Sequence, residues 1–293
     1  MAAQGARVAS GSARRHKRPL WLRDLQHDLP IHLVLLVGLG VAFIPIAFML
    51  MISLKSMGQF ITQPLGLSLP LEWKNYVIAF NVVKRSLVNS VGMTAAVIAL
   101  SLAISSLAGY VFARFEFPGR ELAFWLYLSV LFVPPILTFA TRYVLVAEMG
   151  LLDTYAVQVL PYVAHAQVFQ TVILRSFFAS LPQEVMEAAK VDGANVIQVF
   201  LRIVLPMSRP ILATLAVLRA IGFWDEWLWP MVTVRSGELR PLALQVFYLS
   251  SHAGAHVGWQ MAANVIASLP LVILFALASK QFVEGLTSGA VKF

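Results

Sequence analysis

The chain has 293 residues, of which 59% are apolar and only 12% charged, against roughly 25% charged in soluble domains. A mean hydropathy of +0.78, carried by recurring uncharged runs long enough to cross a bilayer, excludes an ordinary soluble globular fold. The net charge of +8 fits the cytoplasmic loops of a membrane protein better than a nucleic-acid surface, and the lack of cysteine excludes disulfides, iron–sulfur clusters and thiolate metal sites.

Residues 1–30 form a polar tail with Arg7, Arg14, Arg15, Lys17, Arg18 and Arg23, read as a cytoplasmic basic segment held near anionic lipid. The apolar run that follows, 31–53, exceeds the ~7–15 residues of a cleavable signal core and reads as a retained span. Further apolar runs cover 88–113, 122–141, 155–175, 211–234 and 259–283. In lipid each run must satisfy its own backbone, so the expectation is an all-α polytopic membrane protein with six transmembrane helices in one domain, 31–293. A β-barrel would instead alternate over ~10-residue segments. Pro45, Pro134, Pro135, Pro161, Pro230 and Pro270 fall within or at the ends of these spans and should bend them.

With the N-terminus inside, 14 basic residues face the cytoplasm and 7 the outside, Arg219 remaining within a span. The excess favours both termini in the cytoplasm. Segments 54–86 and 235–258 are then external loops, and 177–209 is internal.

The internal loop has the composition of surface helices. Pro182 to Val191 are good helix formers, and Ser180 with Gln183 reads as a capping box. Asp192-Gly193 reads as a turn, and Ala194 to Leu205 as a second helix with Val196, Val199, Phe200 and Ile203 on one apolar face. Pro206 and Pro210 should end it. Glu184, Glu187 and Asp192, with only Lys190 among them, suit an anionic membrane surface poorly, whereas a small-residue helix suits a protein groove.

Glu187-Ala188-Ala189, three residues, Gly193, nine residues, then Ile203, one residue and Leu205-Pro206 resembles the EAA loop of the inner-membrane permease subunits of binding-protein-dependent ATP-binding-cassette importers. Ser53-Leu54-Lys55, Asn75-Tyr76, Leu87-Val88-Asn89-Ser90, Ala108-Gly109-Tyr110, Ala113-Arg114 and the ending Gly285 to Lys292 are similar to the carbohydrate, maltose-type branch. The resemblance covers residues 31–293 and implies a coupling helix that docks into a cleft of an ATPase subunit. Glu187 would make a polar contact there, Ala188 and Ala189 a close-packed one, and Gly193 the bend, with Asp192, Ala194, Ile203, Leu205 and Pro206 completing the loop. It further implies a second permease subunit, expected to be a different chain, two ATPase subunits that hold ATP and Mg, an extracytoplasmic solute-binding protein, and an inner-membrane location. The cargo it implies is a sugar or short oligosaccharide.

Ionisable residues inside a span are functional candidates, which singles out Arg219, Asp225 and Glu226. Arg219 and Glu226 are seven apart, two turns along one helical face if the helix continues. The segment Phe223 to Pro230 resembles the family's tryptophan, asparagine, acidic pattern, with Asp225 replacing the asparagine. Trp224, Trp227 and Trp229 are candidates either for stacking on sugar or for anchoring at the membrane interface. His165, Gln167 and Gln170 are candidates for a polar pathway or for helix contacts. His252 and His256 have a ligand-like spacing but no third partner, so no metal is expected.

No segment reads G-x-x-x-x-G-K-[ST], H-E-x-x-H or a nucleophile elbow. No catalytic site, cofactor or nucleic-acid partner is expected in this chain, and ATP hydrolysis falls to another subunit. The alternatives are a permease for glycerol-phosphate-type esters or an ion-coupled secondary transporter, for which the intramembrane charges would be a relay.

Overall fold

The computed structural model describes the backbone of residues 20–252 and 256–290, and the side chains of residues 29–251 and 256–279. All described elements are helical. The chain divides into two units, residues 1–48 and 49–293.

The first unit holds most of α1 (Leu20–Ser53). Its apolar stretch from Leu29 reaches a mean hydropathy of 2.7, and none of that window is buried within the chain. A helix apolar on every side needs lipid or partner helices as its surroundings. The tail residues 1–19 lie outside the described residues.

The second unit begins with α2 (Met57–Thr62), started by a reciprocal cap between Ser56 and Gln59, and α3 (Lys74–Arg114). At 41 residues, α3 is ~60 Å long, twice the ~30 Å of a hydrocarbon core. The apolar run 88–113 marks only its second part. Residues 74–87 are amphipathic and pack Ala79 and Val83 against later helices, a pattern that hydropathy windows pass over.

Alongside α3 lies α6 (Tyr155–Ala179), running parallel to it. Tyr155 at the start of α6 donates to Asn89 Oδ1 (2.9 Å), while Arg114 at the end of α3 donates to the Leu181 carbonyl (2.7 Å) just past the end of α6. Ser101, Ser105, Gln170 and Thr171 are buried between them. A Cβ on Gly109 would lie 3.0 Å from Leu174 Cβ and 3.2 Å from the Arg175 nitrogen, so glycine is what lets the two backbones close.

Parallel neighbours require the chain to return between them. The return is made by α4 (Arg120–Ser129), a 3-10 turn (Val130–Phe132) and α5 (Phe139–Glu148). Pro134 and Pro135 separate the two helices, because neither can donate to a continuing ladder. The continuous span expected over 122–141 is therefore replaced by two helices of 10 residues each.

After α6 come α7 (Gln183–Val191), α8 (Val196–Val199), a π-helical turn (Phe200–Val204) and α9 (Leu205–Met207). The chain then bends by 73° into α10 (Arg209–Trp224). At the bend the buried Ser208 hydroxyl donates back to the Val204 carbonyl (2.7 Å), and Pro210 sits in the first turn of α10. The expected span 211–234 stops at Trp224, and α11 (Leu228–Thr233) is a separate helix. The region 235–258, expected as a loop, contains α12 (Leu242–His252), whose Leu242 is buried among residues of α3 and α13 (Val257–Ala290).

Of the described helices, α1, α3, α6 and α13 each have the length and hydropathy to cross a membrane, and the bent segment through α8 and α10 makes up to five. The remaining expected span, 122–141, corresponds to the broken α4–α5 return.

Candidate functional site

The loop between α6 and α10 is built from two caps placed back to back. Gly193 has φ +84°, and the nitrogens of Gly193 and Ala194 donate to the carbonyls of Lys190 (3.0 Å) and Ala189 (2.9 Å). This closes the C-terminus of α7 in the left-handed manner that favours glycine. Asn195 then opens α8 with a reciprocal cap, Asn195 N to Gln198 Oε1 and Gln198 N to Asn195 Oδ1, both 2.9 Å. The expected Ser180–Gln183 box does not form. Pro182 takes the N-cap position, so Gln183 is the first helical residue rather than the third, and its amide donates to Glu187 Oε1 (2.6 Å).

The underside of the loop is fixed to the helices above it. Met186, Val199, Phe200 and Val204 are buried with Tyr110 of α3, Leu174 and Phe178 of α6, and Leu215 of α10. The face differs from the one expected, since Val196 is 44% exposed and Val204 takes the buried place in preference to Ile203. The π-turn explains this, because the Leu205 nitrogen bonds the Phe200 carbonyl five residues back and the wider turn brings Val199 and Val204 onto one side. Glu187, Ala188, Asp192 and Gly193 are exposed, while Ala189, Ala194, Ile203, Leu205 and Pro206 are half-buried.

Arg114, in the sequence a cytoplasmic basic residue and part of the family resemblance, is a further anchor. Its guanidinium donates to the carbonyls of Phe178 and Leu181, where α6 ends and the loop starts. A polar cavity of about 410 Å3 lies between α7 and the end of α3, with Gln183, Glu187 and Lys190 on one wall and Arg114, Glu116 and Arg120 on the other.

The intramembrane candidates separate into two groups. Arg219 and Glu226 line a cavity of about 500 Å3 together with Arg142, Tyr162, His165 and Trp229. The pair does not share a helix, since α10 ends at Trp224, and no salt bridge joins them among the described residues. Glu226 instead accepts from the Trp229 nitrogen (3.1 Å) at the start of α11. Arg219 lies 5.6 Å from the Tyr162 ring centroid, and Arg142 lies 4.4 Å from that of Trp229.

Trp224, Asp225 and Trp227 do not line this cavity. Trp224 is 7% exposed and its indole donates to the Ala267 carbonyl (3.1 Å). Asp225 is exposed at the C-terminus of α10. Trp227 stacks on Phe247 with centroids 4.7 Å apart. The tryptophan at the cavity is Trp229, 1% exposed, with its indole on the Val157 carbonyl (2.8 Å).

Of the polar trio in α6, His165 lines the cavity. Gln170 instead accepts from Ser105 between α3 and α6 (3.3 Å), and Gln167 accepts from Tyr127 (3.1 Å). Arg142, counted from sequence only as an external charge, and Tyr162, not singled out, were missed. His256 stacks on Trp259 and the His252 side chain lies outside the described residues; among those described, no group of three possible metal ligands occurs.

Residues 105–287 match the family described as the inner membrane component of binding-protein-dependent transport systems. The chain belongs to this family. This permease is 31% identical over 268 residues to the diacetylchitobiose uptake system permease protein NgcG of Streptomyces coelicolor, covering 89% of this chain and 88% of that one. It is 34% identical over 202 residues to the sn-glycerol-3-phosphate transport system permease protein UgpE of Yersinia pestis, covering 68% and 71%. Its fold is similar to a chain of a bacterial ABC transporter involved in the import of the acidic polysaccharide alginate, with TM-score 0.72 and 22% identity, covering 87% of this chain and 98% of that chain. The permease is thus a multi-pass membrane subunit and not itself an enzyme. The matched region takes in both the capped loop and the cavity, and leaves out α1 and most of α3.

Proposed function

We propose that this permease forms part of the import pathway for a saccharide and is driven by a separate ATPase subunit that grips the loop from α7 to α9. The supporting observation is that the fixed letters Glu187, Ala188, Ala189 and Gly193 sit on a doubly capped knob whose outer face is exposed and whose underside is packed onto α3, α6 and α10. Such a knob moves as one piece, so a push on α7 reaches α6 and α10, which contribute Tyr162 and Arg219 to the cavity. Alternating access follows when closure of the ATPase pair favours one arrangement of these helices over the other.

The full assembly on this reading is this chain, a second and different permease chain, two ATPase subunits carrying ATP and Mg, and an extracytoplasmic solute-binding protein. Both termini then lie in the cytoplasm. The named relatives handle a saccharide in one case and a phosphate ester in the other. The aromatic side chains of Phe139 and Tyr162 on the cavity wall support a saccharide here.

The test is uptake into membrane vesicles with ATP depleted while the ion gradient is clamped. Uptake should collapse without ATP, and Glu187→Arg should abolish it while leaving membrane insertion intact. Uptake that persists on the ion gradient alone would contradict the proposal and favour ion coupling.

A further inference from the structure

The cavity formed by α5, α6, α10 and α11 carries more positive than negative charge. Arg142 and Arg219 line it with a single carboxylate, Glu226. That carboxylate is already engaged by the Trp229 nitrogen at 3.1 Å. By contrast Nε and Nη2 of Arg219 and Nε of Arg142 are buried and find no acceptor among the described residues. Guanidinium groups withdrawn from bulk solvent call for an anionic acceptor, and the planar donor fork suits a carboxylate or phosphate.

Depth separates cargo from lipid as the source of that anion. Tyr162 is seven residues from the start of α6 and Arg219 five from the end of α10, which puts them ~10 Å and ~8 Å from the nearer ends of their helices. A site set back that far suits a group carried by the cargo better than a headgroup lying at the membrane surface.

We infer that the cavity selects a saccharide bearing an acidic group, whose anion is received by Arg219 and Arg142 while Tyr162 and His165 offer further hydrogen bonds. The inference rests on the saccharide-import reading and narrows it to a charge class. Glu226 acts as a fixed counter-charge that keeps the site from holding the anion permanently. Asp225 is absent from the cavity wall.

The experiment uses the purified detergent-solubilised complex and follows its melting temperature, since a ligand of the folded state raises it. The probes are a β-linked glucose disaccharide, the same disaccharide ending in glucuronate, sulfate at matched ionic strength, and phosphatidylglycerol. The glucuronate form should stabilise the complex and the neutral form should not. Arg219→Gln should weaken the apparent affinity at least ~10-fold, and Arg219→Lys should restore part of it, which controls for a folding defect.

Equal stabilisation by the neutral disaccharide would overturn the charge selection and leave saccharide import standing. Equal stabilisation by sulfate or phosphatidylglycerol would overturn it in favour of a generic anion or lipid site. A complex that hydrolyses ATP but responds to neither disaccharide would overturn the saccharide reading itself.

Discussion

Gly193 and Gly258 are glycines for opposite reasons. At Gly193 the backbone has φ +84° and nothing lies within 4 Å of a built Cβ, so the constraint is conformational. A β-branched residue there costs roughly 1–2 kcal/mol, whereas Asn tolerates the left-handed region better. Gly193→Val should therefore lower transport more than Gly193→Asn, with normal membrane insertion in both. Equal transport by the two variants would show that the turn does not set coupling. At Gly258 the constraint is space, because a Cβ would lie 2.5 Å from both Asn75 Nδ2 and the Lys55 carbonyl. The Asn75 amide donates to the carbonyls of Ser53 and Lys55, both at 2.9 Å, so an added methyl displaces a buried contact. Gly258→Ala should cost about 1–3 kcal/mol and lower the melting temperature; an unchanged melt would contradict the close approach.

Among the elements, two polar ties hold the ends of α6. At its end, Arg114→Met removes the donor from the Phe178 and Leu181 carbonyls and should destabilise the purified protein by about 1–3 kcal/mol. At its start, Asp153 Oδ1 accepts from the nitrogens of Ser236 and Arg235, both at 2.9 Å, and from the Ser236 hydroxyl. The Ser236 and Arg235 backbone donors hold its carboxyl below the usual aspartate range. A depressed folded value means the tie contributes in full above the unfolded aspartate value and is lost as pH falls through the folded one. The gap in melting temperature between wild type and Asp153→Asn should therefore be widest near neutrality and shrink below about pH 4. A gap independent of pH would rule out the ionised carboxylate as its source.

Which elements were legible in the sequence follows from how far a hydropathy window sees. The apolar stretches of α1, α6 and α13 are long and uninterrupted enough for the window to find them. The first part of α3 escapes because it is amphipathic, and α12 because it is only 11 residues long. The α4–α5 return reads as one apolar run although Pro134 and Pro135 break it. In the loop, the turn at Gly193 was legible from a local rule, but the π-turn at Phe200–Val204 has no such local signal, so the buried face was misassigned.

At the scale of the whole molecule, the capped loop and the cavity differ in the same way. The loop is a contiguous 20-residue pattern with fixed spacing, readable from Glu187 to Pro206. The cavity assembles Arg142 from α5, Tyr162 from α6, Arg219 from α10 and Glu226 from the link between α10 and α11, so only its within-span charges stand out in the sequence. The two sites are joined through the core under the loop, where Tyr110, Phe178, Val199 and Leu215 meet.

Coupling by this route requires an ATPase subunit in contact with α7. The chain contains no cysteine, so Ala188→Cys on the exposed face is a single chemical handle, and Val34→Cys on the apolar surface of α1 is its control. With a thiol-reactive cross-linker in native membranes, Ala188→Cys should yield a covalent adduct with a subunit carrying a G-x-x-x-x-G-K-[ST] loop, and Val34→Cys should yield none. Adducts from both positions alike, or none from Ala188→Cys in a complex that hydrolyses ATP, would contradict a docked α7.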